Sequence, residues 1–147
     1  MVDRHDYVAL EWVKGDIAET LKQARSALDA YVETHDDDAL NECLAGIHQV
    51  HGALQIVEFY GAALLAEEIE ELALALQAGH VGQRDESIRL LQQALGQLPL
   101  YLDRVHSARR DLPLVVLPLL NDLRSARGES LLSETSLFSP QLLSITP

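Results

Sequence analysis

One cysteine in 147 residues, Cys43, excludes an internal disulfide framework and fits a reducing compartment. Its apolar neighbours at helical spacing make it a buried thiol rather than a nucleophile, which needs an electropositive setting. Aromatic side chains make up only 5% of the chain and β-branched runs are few, so sheet is disfavoured. Cations are scarce as well: 11 Lys and Arg against 23 Asp and Glu leave a formal charge of −12. Nucleic-acid binding needs clustered Lys and Arg, so that partner class is excluded, and anionic lipid would be repelled. No apolar run reaches the ~18 residues of a membrane span, and no signal-peptide pattern opens the chain. There is no Gly-rich phosphate loop and no Ser-His-Asp ordering, so the segment carries neither an ATP site nor a catalytic site. These absences describe a cytoplasmic chain with no cofactor and no metal.

What is there is Leu and Ala at helical period. Leu10, Val13, Ile17, Leu21, Ala24, Leu28 and Tyr31 form one stripe of a first helix from Asp6 to about Thr34. The polar break Thr34–Asp38 follows, where an aspartate can cap the next helix. A second helix from about Asp38 carries Leu40, Cys43, Leu44, Ile47, Val50, Leu54 and Val57. A third, from about Gly61 to the Ala78-Gly79 stop, carries Leu65, Ile69, Leu72 and Leu76. One bent helix through Gly61 is the competing reading.

Ile88, Leu91, Leu95, Leu98, Leu102 and Val105 define a fourth helix from about Asp85, which Pro99 should kink or split. Asp111 and Pro113 open a last helix through Leu114, Leu117, Leu120 and Leu123, bent at Pro118 and ended by Gly128. The pattern is an all-α antiparallel bundle of four or five helices over residues 1–128. Residues 129–147, rich in Ser and Leu, read as a linker or a tail that packs on the bundle or a partner.

The stretch Leu44–Gly52, LAGIHQVHG, organises the candidate chemistry. At 100° per residue, His48 lies roughly 120° from the centre of its helix's apolar stripe, with Gly52 and Gln55 beside it. His51 lies roughly 60° away, nearer the core. A histidine at an exposed edge accepts a phosphoryl group if its ring is neutral and a partner can approach, and Gly52 one turn on leaves that room. His48 and His51 at i, i+3 are two metal ligands without a clear carboxylate partner, too few for a metal site. Glu67, Glu68, Glu70 and Glu71 form an acidic patch on the third helix, most simply a solvated face, or a docking patch for a basic partner.

The sequence His48-Gln49-Val50-His51-Gly52 resembles the His-x-Leu-Lys-Gly motif of histidine phosphotransfer (HPt) domains, including that of the chemotaxis kinase CheA. The resemblance puts His48 at the phosphoacceptor position, with Val50 and Gly52 at the apolar and glycine positions. His51 replaces the usual lysine, and Glu58 stands where the family usually has a second glycine. Three longer stretches resemble the N-terminal segment of CheA-like hybrid kinases of the type IV pilus chemosensory system, and a pilus-regulating scaffold with a related segment. They are DRHDYVALEWVKGDIAETLKQA, HGALQIVEFYGAALLAEEIEELA and ARRDLPLVVLPLLNDLR.

That resemblance implies an HPt-like bundle at the start of a longer protein-histidine kinase that controls twitching motility. Its partners would be a scaffold, the kinase core or a receiver domain. The substitutions at His51 and Glu58 favour a docking module as the leading expectation. Direct phosphotransfer through His48 is the alternative, and a structural bundle unrelated to signalling the second.

Overall fold

The structure, a computed structural model, describes residues 4–57, 59–108 and 113–133, with side chains from residue 11 onward except those of residues 12, 108, 113 and 114. Among them are five α-helices and no strand: α1 (Arg4–Thr34), α2 (Asp37–Ile56), α3 (Tyr60–Ala78), α4 (Arg84–Ala108) and α5 (Pro113–Ala126). The roles expected of Leu10, Glu58, Asp111 and Leu114 lie outside the described residues or side chains.

The helices begin and end where backbone chemistry allows. His35 takes the left-handed conformation (φ 55°) after α1, its N–H donating to the Tyr31 carbonyl at 2.7 Å. Asp36 then caps α2: its carboxylate accepts the Asp38 N–H at 3.0 Å, satisfying one of the free donors of the first turn. Gly79, at φ 79°, closes α3 in the left-handed region that a side chain would strain.

Two helices, not one bent helix, are found here: α2 ends at Ile56 and α3 starts at Tyr60. There Val57 and Phe59 turn into the core and leave Tyr60 exposed. The Phe59 N–H still reaches the Leu54 carbonyl at 3.3 Å. Pro99 lies inside α4 without dividing it, and Pro118 likewise inside α5.

The first four helices form a closed square. α1 packs on α2 and α4, and α3 completes the ring against both. Consecutive helices joined by short connections and packed side by side run antiparallel. At the crossing of α1 and α2, a Cβ on Gly46 would stand 3.2 Å from that of Ala24, so the missing side chain is what lets these helices approach. α5 lies outside the square on α3 and α4.

This extra contact explains why α3 buries more than its expected stripe. Besides Leu65, Ile69, Leu72 and Leu76, the residues Ala62, Ala66, Ala73 and the carboxylate of Glu68 are buried. Glu68 accepts from Arg124 Nη1 at 2.8 Å and from Arg127 Nη2 at 2.9 Å. Beyond α5, the chain folds back. Asn121 exchanges two hydrogen bonds with the backbone of Leu132, at 2.7 and 3.0 Å, and Arg124 Nε donates to the Ser130 carbonyl at 2.6 Å.

Candidate functional site

Because α2 and α3 are antiparallel neighbours, positions on their shared outer seam pair in step. Asn41 meets Gln77 by a side-chain hydrogen bond. Seven residues along α2 and seven back along α3, His48 meets Glu70. Three further, His51 faces Glu67. The i, i+3 pair of histidines is therefore set against an i, i+3 pair of glutamates.

Glu70 joins the two rings. Its Oε2 lies 2.7 Å from Nδ1 of His48 and its Oε1 lies 2.8 Å from Nδ1 of His51. A carboxylate only accepts, so each ring donates from Nδ1, and each neutral ring then keeps its lone pair on Nε2. The two Nε2 atoms differ in access. His48 is 78% exposed and offers its nitrogen to solvent, whereas His51 is 16% exposed. Nε2 of His51 is buried without a hydrogen bond, and the nearest carboxylate oxygen of Glu67, at 3.9 Å, is beyond hydrogen-bond reach.

Gly52 and Gln55 extend the face from His48. A Cβ on Gly52 would meet nothing within 4 Å, so no contact inside the chain requires glycine there. Gln55 is exposed, and the exposed side chains of Ile56 and Tyr60 border the same end of the seam.

The acidic run is not one solvated face. Glu67 and Glu71 are exposed, but Glu68 is sealed under α5 by two guanidinium groups. Glu70, 15% exposed, is occupied by the two histidines. The expectation of a four-residue outward patch is corrected at these two positions. Burial pushes the Glu67 carboxyl above its usual range, opposed by His51 and Arg127 and reinforced by Glu68 and Glu71.

Glu70 is the carboxylate partner of the two histidines, which their spacing along one helix does not reveal. The signal was present as matched i, i+3 spacings on two helices, but reading it needs the register between them. Among the described residues, no group of three or more His, Cys, Asp or Glu side chains is arranged to hold a metal ion. Among those residues, too, no helix is long and apolar enough to cross a membrane.

The site is thus an exposed imidazole on the second helix of an α-bundle, with its tautomer held by a carboxylate on the neighbouring helix. The chain belongs to the Hpt domain family, which matches residues 8–108. It is also similar to the scaffold protein FimL of Pseudomonas aeruginosa, with 32% identity over 135 residues, covering 91% of this chain and 24% of that protein. The chain thus spans about a quarter of the length of that relative. No solved structure matches it.

Proposed function

We propose that this chain is a histidine phosphotransfer module in which Nε2 of His48 accepts a phosphoryl group and passes it on. The observation that carries this reading is the 2.7 Å contact from Glu70 to Nδ1 of a ring that is otherwise exposed. In the forward step the Nε2 lone pair forms a bond to phosphorus. The bond from phosphorus to the donor's bridging oxygen breaks, and that oxygen leaves with the electron pair. The Nδ1 proton stays in the hydrogen bond to Glu70, whose negative charge stabilises the positive charge that grows on the ring. Metal and further cations would come from the incoming kinase or receiver, which supplies most of the positioning in phosphoryl transfer.

Similarity to FimL, together with the stretches that resemble pilus chemosensory kinases, supports placing the module in a type IV pilus signalling system. Within it, the reading favoured is the N-terminal module of a CheA-type kinase acting in the cytoplasm. The domain would occupy residues 1–128, followed by a segment leading to further domains. A docking role is the second reading, favoured by the match to a scaffold and by His51 in place of lysine. Its surface would be the exposed edge of Glu67 and Glu71 with Gln55.

Incubation with a CheA-type kinase core and radiolabelled ATP separates the two. Phosphotransfer predicts acid-labile label on the wild type and none on His48→Gln. Docking alone predicts no label on either, with kinase or scaffold binding unchanged by the substitution.

A further inference from the structure

The two helices that build the site contain no lysine and no arginine; their ionisable side chains are acids, one cysteine, one tyrosine and the two histidines. From α3, Glu67 and Glu70 face His51, with Glu71 exposed a turn beyond. From α1, the other helix packed on α2, no charged side chain pairs with either histidine among the described residues. Arg124 and Arg127 reach α3 but are bound to Glu68. A phosphoryl group on His48 would therefore bring up to about two negative charges to a face that already carries several. Like charges at this range disfavour one another unless a proton is taken up.

His51 is placed to take it. Its Nε2 is a buried acceptor without a donor, and protonation turns it into a donor that is satisfied once the neighbouring Glu67 carboxylate closes on it. The new N–H would point toward Glu67 Oε2, now 3.9 Å away. Glu67 is about half exposed, so its carboxyl stands between that nitrogen and solvent without a hydrogen bond to it. Nδ1 of the same ring holds Glu70 by the oxygen that His48 leaves free.

Resting on the phosphoacceptor reading of His48, we propose that His51 is the charge-compensating and positioning residue of the site, binding a proton at Nε2 when His48 is phosphorylated and keeping Glu70 aligned as an imidazolium. The proton comes from solvent by way of the Glu67 carboxyl, and the transferred phosphoryl group and its leaving oxygen balance as in the step above. A lysine at this position would be charged before and after transfer. Histidine makes the compensation depend on pH.

The test is an NMR titration of the 15N-labelled chain between about pH 6 and about pH 9, before and after phosphorylation with potassium phosphoramidate. The expected result is that His51 binds its proton about tenfold more tightly in the phosphorylated form, equivalent to about one pH unit. By linkage, the contribution of His51 to the equilibrium yield of phosphorylated His48 should grow by a similar factor as the pH falls, read as the ratio of wild type to His51→Gln so that protonation of the acceptor ring itself cancels. His51→Gln should remove that dependence and lower the yield, and His51→Lys should restore the yield without the dependence. Superimposable His51 titrations in a protein that does carry phosphate on His48 would overturn this inference alone. Absence of phosphate from His48 would overturn the phosphotransfer reading and this inference with it.

Discussion

Glu70 Oε2 on α3 lies 2.7 Å from Nδ1 of His48 on α2, a contact between residues 22 apart in the chain. It selects the tautomer in which Nε2 carries the lone pair, and it does so from the side of the ring away from solvent. Glu70→Gln keeps a hydrogen-bonding group but loses the charge. Phosphoryl acceptance by His48 should fall by about 10- to 100-fold, the range for removing a carboxylate that orients a metal-binding imidazole. Initial rates of labelling by a kinase core measure it, with circular dichroism reporting that the bundle is intact. Equal rates would remove Glu70 from the mechanism.

Glu68 predicts a different response two residues away. Its carboxylate is 3% exposed and accepts from Arg124 and Arg127, so Glu68→Ala takes from both guanidinium groups the one buried carboxylate they share. The expected loss of stability is about 3 kcal/mol, at the lower end for breaking a buried pair because both arginines retain some exposure. Urea unfolding reads this directly. Glu71→Ala on the exposed side should change stability by less than about 0.5 kcal/mol.

The two glycines of α2 should separate packing from access. Gly52→Ala adds a methyl where nothing lies within 4 Å and should stabilise the helix by about 0.8 kcal/mol. A bulkier Gly52→Leu should leave the fold intact while slowing labelling of His48, since only an approaching partner would meet the side chain. Gly46→Val drives atoms into Ala24 and Thr20 of α1 and should cost about 1–3 kcal/mol through overpacking. Equal labelling of Gly52→Leu and wild type would show that partners do not approach over that turn.

Cys43 supplies a pH dependence. Burial pushes its thiol up to about 12, with the nearby negative charge of Asp29 adding to the shift. The folded protein therefore holds this proton more tightly than the unfolded chain, where the thiol ionises near 9. The linked stability is fully present below pH 9 and is lost as the pH rises from there toward 12, at about 1.4 kcal/mol per pH unit. Cys43→Ala should lose less stability over this interval, and the native thiol should resist Ellman's reagent at pH 8 until the chain unfolds.

Much of the frame was legible along the chain because each helix carries its own periodic record. The stripe of Leu40, Cys43, Ile47, Val50 and Leu54 placed His48 outward and His51 inward, and Gly79 and the aspartates before α2 marked helix ends. Of the two outcomes expected at Pro99, a kink or a split, the split does not occur. A helix packed on two neighbours tolerates the lost donor, because tertiary burial of Leu95, Leu98 and Leu102 holds the turns on either side.

The α-bundle and the outward angle of His48 follow from the sequence itself, since both depend on spacing within one helix and on which side chains avoid water. Which glutamate serves which residue was decided only by tertiary structure. Glu68, Glu70 and Glu71 look alike in a helix of the same composition. The register of α3 against α2 puts Glu70 under the two histidines, and the arrival of α5 puts Glu68 beneath the arginines. An acidic side chain's role is set by what lies across from it, and helical period carries no information about the neighbour.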